Sequence, residues 1–121
     1  MVKLLLDTNI IIDYLNGIEA AKPLFEREDK PAISIISYME VLIGAGDELK
    51  AATRSFLKTL EIIQISEEIA ELAISLRQSR RLKLPDAIIL ASAEHIGANL
   101  VTRNTKDFGE GEVGIHIPYK L

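Results

Sequence analysis

The sequence predicts one α/β domain, a mostly parallel sheet covered on both faces by helices. Three observations carry that expectation. Short apolar runs rich in Leu, Ile and Val alternate with longer segments of helical pattern, and such alternation builds parallel sheets whose strands are buried on both sides. The chain has 121 residues and is 48% hydrophobic, enough for one real core and too little for two ordinary domains. No internal repeat, low-complexity tract or linker interrupts it, so residues 1–121 read as a single unit.

The elements follow in order. Residues 2–6 are a buried-type strand, and "TNIIIDYLNG" behind them is a helix stopped at Gly17. A second helix is expected over residues 18–27, and "PAISII" (31–36), rich in β-branched residues, is the next strand. "SYMEVLIGAG" reads as a helix ending at Gly44 to Gly46; "DELKAATRSFLKTL" reads as another, with Leu49, Phe56, Leu57 and Leu60 inward; "EIIQI" is a short strand. The clearest helix is "SEEIAELAISLRQSRR": Ser66 suits its N-cap, Glu67 and Glu68 its first turn, Ile69, Leu72, Ala73 and Leu76 form one stripe, and Arg77, Arg80 and Arg81 suit its C-terminal end. Pro85 opens "PDAIILASAEHIG", apolar enough to be largely buried; "NLVTR" is a strand leading to a polar turn, and residues 115–117 close the chain as a last short strand.

Composition narrows the function classes. The absence of cysteine excludes disulfide scaffolds and thiolate metal sites and points to a reducing cytosol. Nothing resembles a signal peptide, and the apolar run after Lys3 is far shorter than the roughly 20 residues that span a bilayer, so a cytoplasmic protein without membrane attachment is expected. A net charge of −4 argues against broad nonspecific nucleic-acid binding but leaves room for a local basic patch. "GEGEVG" matches the letters of a dinucleotide fingerprint, yet it opens no helix and carries two glutamates that would repel a pyrophosphate. Only His95 and His116 are present, which disfavours a histidine acid/base mechanism; His95 suits a helix C-terminus.

Four acids stand out by position. In a doubly wound sheet, ligands bind beyond the carboxyl ends of the strands, where strand order reverses. Asp7 directly follows the first strand, Glu40 is expected in the first turn after the "AISII" strand, Asp107 lies just past "LVTR", and Asp86 sits in the first turn after Pro85. Each also has a local reading. Asp7 can cap its helix, Ser37 and Glu40 fit an S-x-x-E capping box, Asp86 suits the helix dipole, and Asp107 is a turn residue. Four capping acids need not share one end of a sheet, however, and like charges gathered there repel unless a cation neutralises them. A hard divalent ion, Mg2+ or Mn2+, does so through a few carboxylate oxygens and retained waters.

The blocks "LLLDTN", "SYMEVLIGA", "LPDAIILASA" and "LVTRNTKDF", in this order over the whole chain, resemble the PIN-domain ribonucleases, and among them the VapC toxins of toxin–antitoxin pairs. The resemblance implies a small three-layer α/β/α sandwich whose acidic cluster binds Mg2+ or Mn2+ and cleaves single-stranded or looped RNA. The family's acidic positions fall on Asp7, Glu40 and Asp86; the fourth is assigned to Asp107, with Asn104 standing where many relatives carry an acid. Thr8, Asn9, Thr102 and Asn104 are expected as polar support. Lys83, Arg103 and Lys106 flank the acids and are read either as phosphate contacts or as solvated surface cations. Metal-assisted hydrolysis leaving 5′-phosphate and 3′-hydroxyl ends follows; an idle PIN-like interaction module is the alternative. Apolar residues spread around two helices (Ile10, Ile11, Ile12, Tyr14 and Leu15; Tyr38, Met39, Val41, Leu42 and Ile43) are either all sandwiched in the core or leave a groove. With the resemblance, such a groove implies a homodimer and a cognate antitoxin.

Overall fold

Residues 2–121 are described by the computed structural model. Among them, five parallel strands, β1 (Leu4–Leu6), β2 (Ala32–Ser34), β3 (Glu61–Ile63), β4 (Asn99–Val101) and β5 (Ile115–His116), form one sheet in the order β3-β2-β1-β4-β5. The helices are α1 (Thr8–Leu15), α2 (Lys22–Phe25), α3 (Ile35–Gly44), α4 (Asp47–Leu57), α5 (Glu67–Arg80) and α6 (Leu84–His95), with one 3₁₀ turn (Glu19–Ala21) before α2.

The three leucines of β1 explain the layering. Side chains alternate across a strand. Leu5, level with Ala32 of β2 and Leu100 of β4, packs toward Ile69 and Ala73 of α5 and Ala87, Leu90 and Ala91 of α6. Leu4 and Leu6 point the other way, into Ile10 and Ile11 of α1, Val41 and Leu42 of α3, and Leu57 of α4. The result is a three-layer α/β/α sandwich with β1 buried on both faces. Burial of each leucine contributes roughly 1.5–3 kcal/mol, which holds β1 at the centre and its last residue at the sheet's carboxyl edge. Strand order reverses there: β2 lies on one side of β1 and β4 on the other.

Several boundaries differ from the sequence reading, each for a local reason. The helix expected over residues 18–27 is broken into the 3₁₀ turn and a single-turn α2, because Pro23 lacks a donor and starts a helix more readily than it continues one. The strand expected over 31–36 ends at Ser34, whose Oγ accepts from the Ile36 N–H at 3.0 Å and caps α3. Ile35 and Ile36 are therefore helical despite their β-branching; the cap outweighs the propensity. The Ser37–Glu40 capping box does not form, and Glu40 sits in the second turn, not the first. Leu49 is 66% exposed, since only the C-terminal end of α4 reaches the core. Ser66 caps α5 as expected, its Oγ accepting from the Ile69 N–H at 3.2 Å, with Ile69 and Ala73 buried. Gly17 ends α1 at φ +80°, a conformation open to glycine without strain. No helix among the described residues is long and apolar enough to cross a membrane.

Candidate functional site

Asp7 is the first residue past β1, where its N–H still continues the ladder to the Val101 carbonyl at 2.9 Å. Its side chain is only 5% exposed. Oδ1 accepts from the Thr8 N–H at 2.8 Å, so Asp7 does cap α1; Oδ2 accepts from the Thr102 hydroxyl at 2.7 Å and the Asn9 amide at 3.3 Å. The helix-cap reading and the site reading are thus both satisfied by one carboxylate. Burial pushes the Asp7 carboxyl above the usual range, against the bonds from Thr102, Thr8 and Asn9, and Glu40 adds a like charge.

Glu40 reaches the same place from α3. The Thr8 hydroxyl donates to its Oε1 at 2.7 Å and lies 2.8 Å from the buried Ser37 Oγ, tying α1 to α3. Asp86, in the first turn of α6, is also held above its ordinary value, first by burial and then by Asp7, Asp107 and Glu40, with Lys83 opposing. Asp7, Thr8, Asn9, Ile12, Glu40, Asp86 and Asn104 line an open pocket of about 400 Å³ at the carboxyl edge of β1. Asn104, not Asp107, is therefore in the pocket wall. Asp107 stands behind it, its Oδ2 accepting from the Asn104 amide at 2.9 Å while its own N–H donates to Asn104 Oδ1 at 3.2 Å. It contributes charge to Asp86 from that position.

The cations divide. Arg103, read in the sequence either as a phosphate contact or as a solvated surface cation, pairs with Asp13: its Nε and Nη2 donate to the two carboxylate oxygens at 2.5 and 3.0 Å. Asp13 sits on the inward face of α1, where a charge needs a partner, and this pairing is the reason Arg103 is not free. Tyr119 adds a third bond, its hydroxyl donating to Asp13 Oδ2 at 2.7 Å. The sequence reading did not single out Asp13 or Tyr119; an acid inside the apolar run "NIIIDYL" was the available signal. Arg80 likewise forms an ion pair with Glu112 in the "GEGEVG" turn, so that motif is structural. Lys83 and Lys106 form no ion pair among the described residues.

Among the described residues no three acids converge closely enough to ligate one ion directly. The donor set nevertheless fits a hydrated hard cation. Every candidate donor is an oxygen, neighbouring acids help to raise Asp7 and Asp86, and no cationic side chain bonds to Asp7. Magnesium and manganese are held by one or two carboxylates with waters retained.

Beside the acids lies an apolar groove of about 330 Å³ between α1, α3 and α4, lined by Ile12, Leu15, Val41, Leu49 and their neighbours. Ile12 belongs to both pockets. Of the apolar residues counted in the sequence, Ile10, Ile11, Val41 and Leu42 are core, and Tyr14 stacks on Phe25 and Phe56. Ile12, Leu15, Met39 and Ile43 stay exposed, Ile43 at 82%.

Residues 4–110 match the family model for the PIN domain. A chain of a toxin–antitoxin complex from Klebsiella pneumoniae is 47% identical, with 98% of this chain and 100% of that one covered and a TM-score of 0.91. A chain of DNA-bound VapBC from Salmonella typhimurium is 27% identical, with 97% of each chain covered and a TM-score of 0.78. A chain of VapBC2 from Rickettsia felis, bound to a promoter DNA fragment, is 27% identical over 85% of this chain and 89% of that one, with a TM-score of 0.71. No curated protein matches the chain.

Proposed function

The chain belongs to the PIN domain family, and from that premise we propose that it is a Mg2+- or Mn2+-dependent endoribonuclease, the toxin of a toxin–antitoxin pair acting in the cytoplasm. One observation carries the reading: a deeply buried aspartate at the reversal point of a parallel sheet faces Glu40 and Asp86 with no cation bonded to it. Asp7, Glu40 and Asp86, which line the pocket, would hold the ion, with Asp107 adding negative charge from behind Asn104. When bound, such an ion supplies Lewis acidity, activating water and offsetting charge on the phosphate.

The chain's own residues do the rest. Thr102 and Asn9 aim the Asp7 carboxylate, and the Thr8 hydroxyl fixes Glu40 Oε1. Asn104 offers a neutral polar contact in the pocket wall, and Lys83 and Lys106, which flank Asp86 and Asp107 in sequence, would hold neighbouring phosphates. Attack of water on the phosphorus with the P–O3′ bond breaking leaves 5′-phosphate and 3′-hydroxyl ends. The neighbouring groove suits the apolar face of an antitoxin helix. From there a partner arginine can reach the acids and neutralise them. The related toxin–antitoxin complexes support that assembly, and a homodimer of this chain is part of the reading.

Asp7→Asn tests the assignment, because it keeps shape and removes charge. RNA cleavage in Mn2+ is expected to fall at least about 1,000-fold, the scale of losing a principal electrostatic contributor at an active site, while circular dichroism still shows a folded protein. Cleavage by the variant at the parent rate, or parent cleavage that survives a chelator, overturns the reading.

A further inference from the structure

The bonds around Asp13 form a path that ends at the acidic pocket. Tyr119, from the C-terminal segment, donates to Asp13 Oδ2, and the Arg103 fork closes on both Asp13 oxygens. The Arg103 backbone N–H donates to Asn9 Oδ1 at 3.2 Å, and the Asn9 amide turns to Asp7 and Thr102 at 3.3 Å each. Thr102, the residue before Arg103, donates to Asp7 Oδ2 and accepts from the Asn104 N–H at 3.0 Å. The segment after β4 therefore touches Asp7 through Thr102 and is tied to α1 one residue later through Arg103.

We propose that Asp13, Arg103 and Tyr119 are positioning residues, a clamp that fixes the segment after β4 so that Thr102 aims the Asp7 carboxylate and Asn104 stays in the pocket wall. The inference deepens the nuclease reading and rests on it. Two features favour positioning over a direct phosphate contact by Arg103. The Nε and Nη2 edge of its planar guanidinium is held by one carboxylate in a bidentate arrangement, which sets its orientation. Asp13 itself is 6% exposed and accepts from both partners, and none of the three side chains lines the acidic pocket. Outer partners of this kind typically change metal affinity or activity about 10- to 100-fold when removed.

A double-mutant cycle in Mn2+-dependent RNA cleavage separates the roles. Asp13→Asn, Arg103→Ala and the pair are measured, each on protein shown to be folded at the assay temperature. Tyr119→Phe is added as the mildest variant, since it removes one hydroxyl and no charge. The clamp predicts that Asp13→Asn and Arg103→Ala each lower kcat about 10- to 100-fold with KM within about twofold, and that the pair is no worse than either alone. Tyr119→Phe is expected to lower kcat about threefold to tenfold, because it removes only one of the three hydrogen bonds to the Asp13 carboxylate. Amide exchange needs no catalysis: in Asp13→Asn, residues 102–107 should exchange about tenfold faster while α5 is unchanged, the mark of a local opening. A rise in KM for Arg103→Ala with Asp13→Asn at parent activity means that Arg103 holds a phosphate, and the clamp is wrong. Unchanged exchange at 102–107 with unchanged kcat in Tyr119→Phe also overturns it. A parent that cleaves no RNA, yet whose Asp13→Asn variant exchanges faster at 102–107, overturns the nuclease reading and leaves the clamp standing as a fold device.

Discussion

Asp7 caps α1 and Asp13 lies within it, and both are almost removed from solvent, at 5% and 6% exposure. Their environments drive them in opposite directions. Burial raises the Asp7 carboxyl, and the bonds from Thr102, Thr8 and Asn9 do not offset it. Burial also pushes Asp13 up, but Arg103 and Tyr119 outweigh it and the carboxyl ends below its usual range. Tyr119 shows the reciprocal effect, its phenol pushed up to about 12 by burial and by the anion beside it. What shields each acid differs as well: Asp7 is sunk at the central sheet edge, whereas Asp13 is covered by the side chains that neutralise it. A buried acid that serves the fold is given a cation; Asp7 is given only neutral donors and other acids, an arrangement that costs stability and leaves charge available for a ligand.

The largest test of this contrast is stability. Asp13→Ala strips Arg103 and the Tyr119 hydroxyl of their shared acceptor and should cost about 2–3 kcal/mol in denaturant melts, below the loss for a fully buried pair because Arg103 is 31% exposed. A cost under about 0.5 kcal/mol would remove the distinction between the two aspartates. Asp86→Asn should do the reverse. It deletes a repelled charge and is expected to raise metal-free stability at neutral pH by roughly 0.5–1 kcal/mol, a value reduced for solvent screening.

The pH dependence gives both effects a sign. The folded pKa of Asp86 lies above its ordinary 3.8, so its contribution is fully present below that value and lost as pH rises through the folded pKa. The gain from Asp86→Asn should therefore vanish in acid and be complete at neutral pH. The folded pKa of Asp13 lies below 3.8, so its contribution is present above that value and lost as pH falls through the folded pKa. The deficit of Asp13→Ala should shrink below about pH 4. Melts of the three proteins from pH 3 to 8 measure both; parallel curves would sink the comparison. The smallest expected effect is Lys83→Gln. RNA affinity should fall a few-fold with the salt slope reduced by about one, as loss of one phosphate contact predicts, and an unchanged slope would make Lys83 a surface cation only.

Much of this was legible in the chain itself. Alternating apolar runs and helical stripes define the layers, because strand and helix periodicities are set by residues a few positions apart. The same locality places Asp7 after "LLL", Ser66 at a helix start and Asp86 in the first turn after Pro85. Where two local solutions compete, the pattern is silent. Ser34 and Ser37 are both good caps, and the register of β2 against β1 and β3 decides for Ser34 by bringing the strand to its end there. Asn104 and Asp107 are three residues apart, and the turn between them decides which faces the pocket. Arg103 is the plainest case. Beside Lys106 in sequence it reads as a free cation, but its partner Asp13 lies 90 residues away on α1, and Tyr119 reaches that acid from 106 residues beyond it. Only the packing of β4 beside β1 brings those three side chains together, so the sequence alone determined the alternation of layers and the place of Asp7 at the end of the first strand, and the tertiary structure decided which buried acid is paired with a cation and which is left without one.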